Sequence, residues 1–323
     1  MKKVVILHNA VKPGDSKDVL DVMDQVDVVK KALSALDYTV YEIGADINLQ
    51  NLKDILTTIH PAFVFNLVEM MNGKGEFHYI IPAFLSSMEI PYTGSAHEAM
   101  IVTSGKVLAK TIMKYSGIPT ADWLNPEDVY RVDLQKKYII KPIWEDASVG
   151  IEEDMVFNGD DPELINVCKK LQSSKFFIEE FIKGREFNIS ILGGPEGPQV
   201  LPPAELLFIN YPEDKPTIAG YNAKWNEDTF EFLNTQRSFN FTDNDMPLLE
   251  QLKQICLRCW HVFKLKGYVR VDFRVDSDGQ PFVLEINANP CISPDAGFYA
   301  ATQQAKLDFT KVMENIIFDA LNN

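Results

Sequence analysis

The first third of the chain alternates short apolar runs with stretches whose apolar residues recur at helical spacing. KKVVILH reads as a strand, a helix covers about 22–36, YTVYEIG is a second strand, a helix covers about 49–59, and PAFVFNLV is a third strand. This β-α-β-α-β order predicts a parallel sheet with helices on both faces. Ligands of such sheets sit at the carboxyl ends of the strands. The loops leaving those ends here, 8–18 and 69–77, are rich in Gly, Asp, Asn and Lys. A substrate role and a plain solvated connection both remain open for them.

A break near IPYTGSAHEAM precedes a helix over about 104–116 and strands at KKYIIKPI and KFFIEEFI. REFNISILGG then opens the final third. A polar segment over about 209–243 shows no period and exceeds an ordinary connection, so it reads as a lid or binding loop. A helix over about 247–263 follows, and GYVRVDFRVD and QPFVLEINA form a hairpin across Ser277-Asp278-Gly279-Gln280. A chain of 323 residues accommodates more than one core. The predicted division is 1–97, an α/β substrate unit; 98–182, a central unit; and 183–323, a unit built around the hairpin.

Charge narrows the partners. Acidic residues number 46 against 31 basic ones, a formal net charge of -15, which repels a phosphate backbone and argues against nucleic acid. An anionic ligand would need locally placed cations and divalent ions. Of the four cysteines, Cys256 and Cys259 form a C-x-x-C within LLEQLKQICLRCWHVFKL, whose helical period assigns them to a helix face; no second pair completes a zinc site. Cys168 and Cys291 suggest no disulfide pattern. No apolar run reaches the roughly 18 residues of a membrane span, and the amino-terminal run is too short for a secretory signal. The expectation is a cytoplasmic protein without a membrane partner.

The hairpin carries the strongest chemistry. Asp272, Glu285 and Asn287 are oxygen donors that paired strands can aim at one point, and Glu285 and Asn287, two apart, share a face. Magnesium takes such donors, with phosphate oxygens completing its shell. The alternative is an exposed acidic face, but Leu284 and Ile286 flank Glu285, and an unpartnered buried carboxylate is costly. Arg270 shares a face with Asp272. Either it steadies an oxyanion or transferring phosphoryl group, or it forms a structural ion pair with Asp272. Lys141 ends YIIK just before Pro142 and the small-residue loop EDASVGI, where lysine and backbone N–H groups can meet phosphate. In FFIEEFIKGREFNISI, Glu179 and Phe181 alternate with Glu180 and Ile182, and Glu186 follows a Gly turn. Backbone there can pair with an adenine edge while a carboxylate holds a ribose; solvated carboxylates at a strand end are the other reading.

FNLV with GKGE, IPYTGSAHEAM, Lys106, YIIKPIWEDASVGI, FIEEFIKGREFNISILGG, GYNAKW and GYVRVDFRVDSDGQPFVLEINANP follow one another over about 63–290. In that order they resemble the ATP-grasp superfamily and, within it, the D-alanine:D-alanine ligase group. The resemblance implies a three-domain α/β ATP-grasp architecture with an amino-terminal Rossmann-like parallel-sheet domain and ATP between the second and third domains. It implies an ATP-dependent carboxylate–amine ligase that works through an acyl phosphate on small, amino-acid-like substrates. Lys106 and Lys141 would contact ATP phosphates, with Ser148 and Gly150 in a loop over them. Glu179, Phe181 and Ile182 would meet adenine and Glu186 the ribose. Lys224 would close on the terminal phosphate. Asp272, Glu285 and Asn287 would hold two magnesium ions, manganese being the substitute, and Arg270 would steady the tetrahedral intermediate. Ser148, Lys224 and Arg270 would thus carry the chemistry. Two-fold association through the first domain is common in that group.

Departures cluster at the amino-acid pockets. Where the ligases of D-alanine have His-Gly, this chain has Val68-Glu69, although Glu76 is retained. Their Gly-Ser-Ser-Val-Gly loop is Asp146-Ala147-Ser148-Val149-Gly150 here, and their lid tyrosine is Trp225. Those two positions normally bond with an amino-terminal glutamate; alanine lacks a hydroxyl and indole only donates. The nearest candidates for that glutamate are Asp24 and Asp21, with a solvated helix position as the alternative. Cys291 replaces the glycine after Pro290, and its N–H remains available unless the backbone needs a positive φ. Ser293 is a candidate contact to a substrate carboxylate. The resulting expectation is a ligase with altered substrates. Authentic D-alanyl-D-alanine synthesis and a nucleotide-binding regulator without catalysis are the alternatives; retention of Arg270, Lys224 and the three oxygen donors weighs against the regulator.

Overall fold

After Lys3, strand β1 (Lys3–Asn9) is buried along its whole length, so both its faces need cover. The computed structural model, which describes residues 2–145, 150–151 and 153–322, supplies that cover from both sides. Following β1 come helices α1 (Lys17–Leu20) and α2 (Val22–Ala35), strand β2 (Thr39–Ala45), helix α3 (Leu49–Ile59), strand β3 (Val64–Leu67) and helix α4 (Ile80–Ser87). The strands form a parallel sheet in the order β2-β1-β3, as their pattern predicts. Val4 and Ile6 pack with Val26, Val29 and Leu33 of α2. Val5 and Leu7 point the other way, to Leu52 and Leu56 of α3 and to Ile81 and Leu85 of α4.

The helix expected over about 104–116 is α6 (Lys106–Tyr115), and a further helix, α5 (His97–Ser104), precedes it across a break at Gly105. The cause is tertiary. Trp144 lies so close to Gly105 that an added Cβ would meet its ring at 2.9 Å, and the Lys106 N–H leaves the helix to donate to the Ile143 carbonyl at 3.1 Å. An antiparallel sheet follows, ordered β4-β7-β5-β6 and built from β4 (Trp123–Leu124), β5 (Lys137–Pro142), β6 (Val156–Asn158) and β7 (Phe176–Glu180), with helix α7 (Pro162–Cys168) between β6 and β7.

The third sheet uses β8 (Arg185–Leu192), β9 (Gln199–Val200), β10 (Ala204–Phe208), β11 (Thr235–Ser238), β12 (Tyr268–Val275) and β13 (Pro281–Asn287). Its path is β11-β10-β8-β12-β13, with β9 on β8. The segment 209–243 is not wholly irregular, because it holds α8 (Tyr221–Trp225), α9 (Phe230–Asn234) and β11. Elements of four or five residues are too short to establish a period.

Alternation on β8 and β12 decides where the chemistry lies. Phe187, Ile189 and Ile191 of β8 and Val269, Val271, Phe273 and Val275 of β12 pack on Leu252, Ile255, Cys256 and Cys259 of α10 (Met246–Val262). The C-x-x-C pair is therefore a buried helix face of free thiols, as its period predicts. The residues between them, Glu186, Asn188, Arg270, Asp272 and Arg274, face the opposite side and line a cavity. On β13 a bulge intervenes: Phe273 pairs with Val283, but Asp272 pairs with Glu285, leaving Leu284 as the extra residue. In a regular strand Val283 and Glu285 would share a face; the bulge keeps Val283 in the core and turns Glu285 and Asn287 to the cavity.

The chain ends in α11 (Gly297–Gln304) and α12 (Phe309–Leu321). Val312, Met313, Ile316 and Ile317 of α12 join the core formed by β1 and α2. Among the described residues no helix is long and apolar enough to cross a membrane. Phe273 is fully buried between the third sheet and α10. Phe273→Ala should cost about 3–5 kcal/mol, read as a lowered midpoint in guanidinium unfolding with an unchanged slope.

Candidate active site

A cavity of about 500 Å³ is walled by residues of the second and third sheets, of the α1–α2 turn and the loop after β3, and of the 209–243 segment. On its hairpin wall, Arg270 lies opposite Asn287 and Asp272 opposite Glu285. The Arg270 guanidinium donates through Nε and Nη2 to the two Asp272 oxygens, each at 2.8 Å. The ion-pair reading of Arg270 is thus realised, and the same contact fixes the guanidinium plane at the cavity wall. Lys106, buried at the start of α6, places Nζ 3.4 Å from Glu285. Burial alone would raise the Glu285 pKa, yet Lys106, Lys224 and Arg270 outweigh it and hold the group at about 2. Lys224, on α8, is moved the other way: burial and then Arg270 lower its pKa, against Glu285 and Asp272.

These donors suit a hard cation. Among the described residues no three His, Cys, Asp or Glu side chains gather as a metal site; the oxygen set is two carboxylates and the Asn287 amide. Glu285 is ionised, and each Asp272 oxygen, though accepting from Arg270, retains lone-pair capacity. Such a set leaves ligand positions for phosphate oxygens.

At the far end of the cavity Glu179 is 1% exposed and ion-paired with both Lys110 and Lys141. Burial would raise its pKa, but the two lysines together hold it below the ordinary value. Lys110 is lowered, because burial of its ammonium exceeds what its one carboxylate partner returns and Lys141 opposes it as well. Phe181 and Ile182 continue the wall, and Glu186 pairs with Arg274 at 2.9 Å. Burial raises the Glu186 pKa, with Arg274 opposing. Gly150 has φ of 72° and stacks near Pro142 without lining the cavity. Ser148 lies outside the described residues.

The opposite end holds Asp21, Glu69, His78, Cys291, Ser293 and Asp295. Two sequence candidates are displaced here. Asp24 is exposed in the first turn of α2 and absent from the wall, whereas Asp21, the residue joining α1 to α2, lines it. Glu76 turns out to Lys74 at 3.5 Å, while its neighbours Gly75 and His78 line the cavity. Cys291 does not need a positive φ, which is why a side chain is tolerated there. Its thiol donates to Asp21 at 2.9 Å and sits 2.9 Å from the Ser293 hydroxyl, which donates to Asp295 at 2.7 Å. Burial, then Glu69 and Asp21, push the Cys291 pKa well above 9.0, so it remains a neutral thiol and not a nucleophilic thiolate. The Tyr221 hydroxyl of α8 donates to Asp18 of α1 at 3.0 Å, tying the 209–243 segment to the first unit.

Sequence reasoning passed over Lys110, buried behind Glu179, the buried Arg274 of the cavity wall, and Arg237, which is exposed but lines the cavity. Two carried a readable signal. Lys110 is one helical turn from Lys106, and Arg274 is two residues beyond Asp272, so each shares a face with a residue already singled out. Arg237, on the short strand β11, had no such neighbour.

Because Glu179 titrates below its ordinary 4.5, its contribution to stability is fully present above that pH and is lost as pH falls through the depressed value. Glu179→Gln should flatten the acid limb of a stability–pH curve. Lys110→Met, which leaves Glu179 with Lys141 as its remaining cation, should cost about 2 kcal/mol in urea unfolding, and Lys110→Met with Glu179→Gln should cost less than the sum of the two.

Comparison with known proteins agrees with this geometry. The family model described as D-ala D-ala ligase C-terminus matches residues 111–318. A D-alanine–D-alanine ligase of Aquifex aeolicus is 29% identical over 293 residues, 90% of this chain and 92% of that protein. An uncharacterized protein of Sinorhizobium fredii is 29% identical over 282 residues, 82% of this chain and 80% of that protein. The crystal structure of a D-alanine–D-alanine ligase from Bacillus anthracis complexed with ATP superposes with a TM-score of 0.74 at 22% identity, covering 100% of this chain and 98% of that one. With more than half its length matched by the family model, the chain belongs to the D-alanine–D-alanine ligase family of ATP-grasp proteins.

Proposed function

We propose that the protein is an ATP-dependent ligase that activates a carboxylate as an acyl phosphate and joins it to an amine, with amino-acid pockets altered from those of D-alanine ligases. One observation carries the reading: a single cavity sets Lys106, Lys141, Lys224 and Arg270 around the oxygen donors Asp272, Glu285 and Asn287. A carboxylate approaching a triphosphate meets like charge, and these four cations offset it. Divalent ions held by Asp272, Glu285 and Asn287 would screen the remaining charge and align the phosphates.

The substrate carboxylate oxygen attacks the terminal phosphorus as the bond to the leaving ADP breaks. Lys106 and Lys141 hold the phosphates, and Lys224 approaches the transferring group from α8. The amine nitrogen then attacks the acyl carbonyl, and phosphate leaves after the nitrogen loses its proton. Arg270, kept in plane by Asp272, stabilises the oxyanion of that step. The Tyr221–Asp18 contact holds the 209–243 segment over the cavity, which protects an acyl phosphate from water. The altered substrate follows from the amino-acid end, where Glu69, Trp225 and Cys291 stand at positions that differ from the D-alanine ligases. We extend the reading to the three-unit division at 97/98 and 182/183.

The test is ADP and phosphate release from purified protein with Mg-ATP across pools of D- and L-amino acids and small carboxylates, with product masses recorded. The expected result is turnover with a pool other than D-alanine; formation of the D-alanine dipeptide would restore that activity and overturn the altered-pocket argument, and silence across every pool would favour the regulator. Arg270→Ala should lower kcat by about 10²–10³-fold with ATP binding nearly unchanged, and equal loss of both would remove its role.

A further inference from the structure

Arg274 is 3% exposed and sits on the cavity face of β12, directly across from Glu186 of β8. Its guanidinium makes contacts in several directions at once. Nη2 forms an ion pair with Glu186 Oε2 at 2.9 Å and donates to the Thr217 carbonyl. Nη1 donates to the Gly184 carbonyl at 3.1 Å and reaches the Thr217 hydroxyl at 3.5 Å. The rings of Phe181 and Phe208 also pack near it, each centroid 5.6 Å from the guanidinium carbon. One planar fork therefore joins the wall residue Phe181, the carboxylate Glu186 and the backbone of the segment that carries Lys224.

We infer that Arg274 is a positioning residue that couples occupancy of the nucleotide's sugar pocket to closure of the 209–243 segment. The inference rests on the ATP-binding reading above. Holding Glu186 by Oε2 leaves Oε1 as the oxygen able to accept from a sugar hydroxyl, and holding Thr217 by its carbonyl anchors the stretch leading to α8. Thr217 lies only seven residues before Lys224. A lysine could pair with Glu186, but its ammonium lacks the planar fork that serves Glu186, Gly184 and Thr217 together. Arg274→Lys and Arg274→Met therefore separate the two connections. The first keeps a cation for Glu186 and gives up the grip on Thr217; the second gives up both.

The experiment uses the full chain and Mg²⁺ with β,γ-imido-ATP and its 2′,3′-dideoxy form. It measures affinity by calorimetry and, separately, protection of the 209–243 segment from trypsin, which has sites at Lys224 and Arg237. Wild type should bind the intact sugar more tightly and show protection that the dideoxy form induces poorly. Arg274→Lys should keep affinity within about twofold but lose protection, whereas Arg274→Met should lose about tenfold in affinity as well, together with the preference for the intact sugar. Circular dichroism checks folding; should the methionine variant not fold, the lysine variant's split between affinity and protection decides. Wild type that does not bind the analogue would overturn the nucleotide reading. Wild type that binds, with the folded variants matching it in both readouts, would overturn the role of Arg274 alone.

Discussion

A charge on the covered face of a sheet must be paired where it stands, and that constraint organises the whole cavity. Arg270 holds Asp272, Arg274 holds Glu186, Lys106 faces Glu285, and Glu179 takes both Lys110 and Lys141. Each partner would be costly to bury alone. Lys106, Lys141 and Arg270, which face the cavity, are thus each committed to a carboxylate, and those carboxylates must gain new partners when phosphate draws the cations away. Divalent ions entering with the nucleotide meet that need, so the pairing explains why oxygen donors and phosphate-facing cations share one wall. The depressed pKa of Glu285 and the lowered pKa of Lys224 express the same crowding from opposite sides.

What the sequence disclosed follows from how locally each feature is determined. Strand β1 and helices α2 and α3 are bounded by their own apolar period, and their expected spans lie within a residue of those observed. The common face of Arg270 and Asp272 and of Glu285 and Asn287 follows from spacing alone, and the hairpin brings the two pairs opposite each other. The break at Gly105 was not legible, because Trp144 imposes it from a distant stretch of chain. Nor was the bulge at Leu284, which is a property of two paired strands rather than of either. At the amino-acid end, the choice of Asp21 over Asp24, and the outward turn of Glu76, depend on how a short helix and a loop are rotated, a quantity that no period in a few residues fixes.

Close packing at Trp144 links the two kinds of information. Its ring sets the angle between α5 and α6, and its carbonyl approaches Gly75 so closely that an added Cβ would lie 2.5 Å away. One residue thus fixes both the start of α6, from which Lys106 projects, and the loop that brings Gly75 and His78 to the wall. Position in the site is inherited from this contact between the loop after β3 and the stretch after β5 as much as from the strands that carry the chemistry.

Helix α12 closes the core of the first sheet with residues far along the chain from its strands. Val4 and Ile6 share their apolar cluster with Val312, Met313, Ile316 and Ile317. During synthesis that face of the first sheet therefore has α2 as its cover and gains the rest only when α12 emerges, about 300 residues after β1. Over that interval a nascent chain carries a partly covered apolar sheet face, the kind of surface a chaperone shields.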